Sequence, residues 1–461
     1  MSRTLSHLIM RRRLTLRLSP LILVTGLFTI TAYGADLNNP MPAKPMNTQP
    51  KGDHLLGDWD GMRTSLADNG IALTFDYIGQ FASNVSGGKR TGFDYAQQLE
   101  LKGDVDWSKI AGIAGLSSHV DLINRAGRNL SKDYIGDSIA QVQSVYGGGG
   151  DVIIHLAQFY DELSLASGTI DIAAGRLSVG QDFATSSLYC NFMSTMVCGY
   201  PHSIAAKEGF TTFPNSTWGS RIRIDPVRHI YIQAGAYEVR PRGGGASGFN
   251  WSSSGTTGAY FPMELGYEPA FGADDLTGHY KVGFAHDTSN YPDLLRDAAA
   301  RPFVVAGTSP FKHDGRNSAY VLVDQMLMRN GTGPENGLAI LGGYVSSDPH
   351  TSQYAKFAFI GLTDQGLVVS RPNDTFSIMA AWQKISPDLA MTQTLEAATG
   401  LPLSRNAIGL QKSETVVEMD YDIAVGRGVR LMPDLQYVIN PSAAHTYPDA
   451  LVIGLQIKAA L

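Results

Sequence analysis

The carboxy-terminal stretch ALVIGLQIKAAL alternates without a lapse. Leu451, Ile453, Leu455, Ile457, Ala459 and Leu461 are apolar, while Gln456 and Lys458 fall between them. A period of two marks a strand with one apolar face. The same beat runs through IALTFDYIGQF, where Ile71, Leu73, Phe75, Tyr77 and Phe81 oppose Ala72, Thr74, Asp76 and Gln80. It recurs from Phe93 to Trp107, with Asp94, Gln98, Glu100, Lys102, Asp104 and Asp106 on the polar side. Glu418, Asp420 and Asp422 alternate with Val417, Met419, Tyr421 and Ile423, and Arg430, Asp434 and Gln436 alternate with Val429, Leu431, Leu435 and Tyr437. Weaker beats lie near 116–125, 170–176, 222–232 and 280–285.

One such strand would suit a soluble sandwich, which also buries one face of each sheet. The set as a whole, with carboxylates, lysines and glutamines opposite aliphatics and aromatics over spans of roughly nine to eleven residues, describes the wall of a transmembrane antiparallel β-barrel. Lipid covers the apolar side, water fills the inside, and closure satisfies the backbone. A final strand that pairs with the first has no reason to fray, which accounts for the ordered ending.

The first 34 residues differ in kind. Arg3, Arg11, Arg12, Arg13 and Arg17 precede the apolar run 21–30, and Ala32-Tyr33-Gly34 offers small residues for a peptidase. This predicts a secretory signal peptide over 1–34 rather than a retained anchor. A Pro-rich tether over 35–56 follows, then the barrel over 57–461, opening with a short helix from about Gly61 that Gly70 stops. At roughly 25 residues per strand with its connection, 35–461 holds about 16 strands, with 18 as the neighbouring solution.

Composition sharpens this little. Hydrophobic residues make up 43% and charged residues only 17%, which excludes a disordered chain. A net charge of -6 with no basic stripe speaks against nucleic acid as a partner. Cys190 and Cys198, eight apart in an exported chain, predict a local disulfide that pins a loop, since His202 is the one neighbouring candidate ligand and does not complete a zinc set.

Enzyme signatures are missing. Asp161 and Glu162 are adjacent on a strand, so they face opposite ways and cannot flank one glycosidic bond. Neither HExxH nor GxSxG occurs, and Gly147 to Gly150 lack the Lys-Ser/Thr of a P-loop. The expectation is a channel rather than an enzyme, with no cofactor.

Several segments, in order, resemble one family: GDWDGMRTSLADNGI, NVSGG, QVQSVYGGG, AAGRLSVGQDFATS, the cysteine pair, WGSRIRI, IQAGAYEVRPR, HDGR and PDLQYVINP. Together they are similar to the carbohydrate-selective porins, the OprB-like outer-membrane proteins of Gram-negative bacteria. The resemblance implies a sixteen-stranded barrel with inward-folded loops. Its passive solutes would be monosaccharides such as glucose, and its partners outer-membrane lipid and the barrel assembly machinery. It also places the sugar-contacting constriction at Arg125, which phase counting sets on one face with Ser117, His119 and Asp121. Arginine's fork suits two neighbouring hydroxyls; pairing with a wall carboxylate is the alternative. The second constriction segment carries Ser144 and Gly148 where the family has a glutamate and a second arginine, and keeps Tyr146, which either stacks on a sugar or packs the loop. The expected solute contacts are thus Arg125, Asp121, Ser144 and Tyr146. A barrel serving export or assembly, with an incidental pore and 37–52 as a periplasmic docking arm, is the alternative function. The final residue, Leu461, is an aliphatic where the resemblance leads the assembly machinery to meet an aromatic.

Overall fold

The computed structural model describes residues 54–146, 150–205, 209–240, 247–331, 333 and 335–461. The expected leader, the tether up to residue 53, and Gly148 lie outside the described residues. The expected short helix is Met62–Asp68, and Gly70 just beyond it has φ +93°. A Cβ there would meet the Asp106 carbonyl oxygen at 2.9 Å, so glycine both permits the conformation and lets the next strand's end approach.

The strands in chain order are β1 (Ile71–Ser86), β2 (Gly92–Asp106), β3 (Leu116–Gly127), β4 (Val152–Leu165), β5 (Ile170–Leu177) and β6 (Thr217–Val227). Then come β7 (Ile230–Val239), β8 (Gly258–Tyr267), the two-residue β9 (Ala270–Phe271), β10 (Leu276–Pro292), β11 (Lys312–Arg329) and β12 (Gly337–Ser347). The last five are β13 (Tyr354–Gln365), β14 (Thr375–Ile385), β15 (Ser413–Gly426), β16 (Val429–Ile439) and β17 (Ala450–Ala460). β9 only ladders onto the start of β10; the remaining sixteen form the wall. Neighbours are antiparallel throughout, and β1 pairs with both β2 and β17, so the sheet closes on itself. Closure leaves no edge for water or lipid to satisfy.

The closing seam carries the carboxy-terminal beat. Gln456 stands opposite Gln80 and Lys458 opposite Ile78, while Leu451, Ile453, Leu455 and Ile457 remain on the accessible outer face. The Leu461 amide reaches the Phe75 carbonyl at 2.7 Å, and Arg63 of the short helix donates to the Leu461 carbonyl at 2.5 Å.

Two expectations need correction. Wall strands range from 8 residues (β5) to 18 (β11), because several continue past a lipid-thick band into the connections. The beat over 222–232 is two strands, β6 and β7, joined by a turn in which His229 takes φ +69°; antiparallel return preserves the phase across the turn and hides the break. The structure also holds helix Pro387–Ala398, N-capped by Ser386, whose hydroxyl accepts from the Asp388 and Leu389 amides at 3.1 and 3.3 Å. Its Ser-Pro start and Gly400 stop are local helix signals.

The inside is not simply water. The chain between β5 and β6 enters the barrel, and its Phe183, Tyr189, Phe192, Met193, Met196 and Val197 are buried against inward wall residues such as Leu322, Leu341, Phe357, Val416 and Met432. The apolar core of this protein therefore sits within the barrel, where a loop supplies the groups that lipid supplies outside.

Candidate functional site

β2 and β3 build one wall of the lumen from alternate residues. The ladder pairs Gln98 with Arg125, Lys102 with Asp121, and Asp104 with His119, so one polar stripe on β2 faces another on β3. Arg125 Nε donates to Gln98 Oε1 at 2.7 Å, and its guanidinium lies 5.7 Å from the Phe213 ring centroid. Lys102 pairs with Glu100 at 2.9 Å, and His119 Nδ1 meets Asp104 at 2.6 Å with its ring stacked on Tyr160. These groups line a cavity of about 1050 Å³.

The adjoining wall strands and the inward chain furnish a further part of the lining. Arg221 on β6 is clasped by Glu162 at 2.8 Å and by Asp182 at 2.9 Å, and all three border the cavity. Glu162 faces inward while its neighbour Asp161 accepts from Ser118 on the other side, as expected for adjacent strand residues. Cys190 and Cys198 are joined, and both border the cavity, so the disulfide pins a lumenal loop.

A second inward segment lies between β3 and β4. Ser144 accepts from Gln80 Nε2 at 2.9 Å, and its amide donates to the Met193 carbonyl at 3.0 Å. The Val145 amide donates to Gln80 Oε1 at 3.0 Å, while Thr195 and Gln141 exchange bonds at 2.8 Å. The two inward segments thus hold each other and the seam strand β1.

The sequence-predicted residues fare unequally. Arg125, Asp121 and Ser144 border one cavity. Arg125 is only 5% exposed and already engaged by Gln98, so it presents an edge to the lumen rather than an open fork. Asp121 Oδ1 is buried with no hydrogen-bond partner. Tyr146 ends the short turn Ser144–Tyr146, but its side chain and Gly148 lie outside the described residues. Sequence reasoning placed Gln98, Glu100 and Lys102 on the inner face without assigning them to the site. The Arg221–Glu162–Asp182 cluster was not foreseen, since nothing in the sequence ties 182 to 221.

Two wall glutamates carry the inward chain. Glu264 accepts from the Ala184 amide at 3.0 Å, from Tyr231 and Gln233 at 2.7 Å each, and from Tyr320 at 2.6 Å. Glu418 accepts from the Met193 and Ser194 amides at 2.5 and 2.9 Å. His202 Nδ1 donates to Gln383 Oε1 at 2.9 Å, and burial lowers its pKa against the opposing pull of that bond.

Comparison with known proteins agrees with this geometry. The model of the carbohydrate-selective porin, OprB family, matches residues 90–461. Porin B of Pseudomonas aeruginosa is 29% identical over 420 residues, spanning 89% of this chain and 91% of that protein. The putative porin QuiX of Acinetobacter baylyi is 26% identical over 420 residues, spanning 88% and 92%. The high-pH structure of Pseudomonas putida OprB superposes with a TM-score of 0.82 at 27% identity, covering 89% of this chain and 99% of that one.

Proposed function

This chain belongs to the carbohydrate-selective porin, OprB family, and is an outer-membrane sugar porin; on that premise we propose that its sugars pass the stripe formed by Gln98, Glu100, Lys102, Asp121 and Arg125, with Ser144 on the facing segment. The supporting observation is the polar cavity left between β2, β3 and the inward segments of a closed barrel. Carboxylates, an amide and cations at alternating heights offer acceptors and donors to successive hydroxyls of a pyranose. Weak, escapable contacts are what conduction needs. Export by the leader 1–34, insertion by the barrel assembly machinery and residence in a Gram-negative outer membrane belong to the same proposal.

Monosaccharides such as glucose are the proposed solutes. Ser144 and Gly148 stand where the family pattern carries a carboxylate and a guanidinium, and each charge-assisted bond that such groups would make contributes roughly 1.5 to 3 kcal/mol. Discrimination between mono- and disaccharides is therefore weaker here than in relatives with both groups. Liposome swelling with a graded series of sugars tests this. The unaltered protein should pass glucose and admit disaccharides appreciably, Ser144→Glu with Gly148→Arg should slow disaccharides, and Arg125→Ala should flatten what preference exists. Sharp exclusion of disaccharides by the unaltered protein would move the filter elsewhere.

A further inference from the structure

The wall beneath the disulfide-closed segment holds a cluster that sugar passage does not use. Glu418 and Asp420 on β15 and Asp434 on β16 all face inward, and the register sets Asp420 directly opposite Asp434. They are 0%, 1% and 4% exposed, and one carboxylate oxygen from each lies within 4.8 Å of the others. Like charges directly across a ladder destabilise it, and burial raises the cost. The adjacent Asp422 is balanced by Arg430 at 2.9 Å and Lys458 at 3.7 Å. Among the described residues, no ion pair reaches Glu418, Asp420 or Asp434.

Hydrogen bonds account for only part of this charge. Glu418 Oε1 accepts from the Met193 and Ser194 backbone amides, and both Asp434 oxygens accept from Gln436 Nε2 at 3.1 Å. Glu418 Oε2 and both oxygens of Asp420 are buried with no hydrogen-bond partner. Convergent acceptors without donors call for a positive centre.

We propose that Glu418, Asp420 and Asp434 bind one divalent cation of the calcium class, which clamps the Cys190–Cys198 segment to the wall. An all-oxygen set selects a hard cation over zinc or copper, which prefer nitrogen and sulfur. Ligands at about 2.3 to 2.6 Å from calcium lie at most about 5 Å from one another, which the cluster satisfies. Magnesium keeps several waters in a strict octahedron, for which this buried site has little room. Glu418 is the bridge: one oxygen holds the loop backbone and the other faces the cation, so loading the site stiffens the segment that narrows the lumen.

The test reads metal content and stability, and needs no sugar. Mature protein in detergent is stripped with EGTA, then dialysed to equilibrium against radioactive calcium, with and without competing magnesium. The unaltered protein should hold one equivalent of calcium above the level of Asp420→Asn, with Asp434→Asn as the second variant if the first does not fold. At free calcium about 100 times Kd, the folded-to-unfolded ratio should rise about 100-fold in the unaltered protein alone. Binding no greater than in the variants, with a melting midpoint indifferent to EGTA, would overturn the clamp and mean that the three carboxyls share protons instead. Equal displacement by equimolar magnesium would overturn the choice of cation.

Discussion

His202 shows how one residue can set the pH range of a loop. Its ring borders the lumen, and burial holds its pKa below the ordinary 6.5. The folded loop therefore binds fewer protons than the unfolded chain. Docking of the segment is fully stable above about pH 6.5 and loses stability as pH falls from there toward the folded-state value. Amide exchange in 189–205, corrected for intrinsic rates, should quicken between about pH 7 and pH 5, and His202→Gln should remove most of that change. A pH-independent exchange rate in the unaltered protein would show that the ring is already relieved by channel water. Glu264 makes the complementary case of a residue that gathers four donors. Glu264→Ala leaves buried donors unpaired at about 1 to 3 kcal/mol each, and the expected outcome is a less stable barrel whose single-channel conductance is larger and noisier.

At the scale of the element, the decisive piece is the inward segment between β5 and β6. It is short of regular structure, so its shape depends on the disulfide, on two glutamates and on apolar contacts. Closing a loop of this length contributes about 2.5 kcal/mol in the chain-entropy view. Replacing Cys190 and Cys198 by serine should lower the heat-modification midpoint and increase permeation of larger sugars while leaving β content unchanged by circular dichroism. The wall must also leave space for the segment. A Cβ on Gly454 would lie 2.5 Å from Asp434 Oδ2 and 2.6 Å from Met193 Cε. Gly454→Val should thus cost about 1 to 3 kcal/mol by overpacking and lift Met193 off the wall, which a mobile probe attached near residue 195 would report.

For the whole molecule, the two faces of the closed sheet obey different rules. Ile360, midway along β13, is 59% exposed on the outer face, whereas Gln456 on β17 is buried in the lumen against Gln80 at 2.5 Å. A charge on the lipid side is expected to cost about 2 to 4 kcal/mol near the midplane. Ile360→Arg should therefore reduce the yield of folded, heat-modifiable barrel, and Leu362→Arg, on the same face of the same strand, should do likewise. An inward exchange at Lys102→Gln should leave assembly intact and change only what the lumen passes, its ion selectivity and its sugar preference. Equal yields for the three would mean that the outer face does not meet lipid.

The sequence by itself determined the wall. A period of two is a local property of the backbone, so Gln456 and Lys458, and likewise Ser117, His119, Asp121 and Arg125, could be assigned to the lumen by counting alone. The cysteine pair was equally legible, because the sequence holds just these two cysteines, eight residues apart. Helix Pro387–Ala398 is marked locally by its cap, Ser386-Pro387. What only the tertiary structure decided is how the lumen is filled. Ala184 meets Glu264 across 80 positions, Met193 meets Glu418 across 225, and Gln80 meets Gln456 across 376. Such contacts follow from barrel closure, which brings distant strands around one axis. No local periodicity encodes which inward carboxylate will receive a loop and which will be left facing its neighbours.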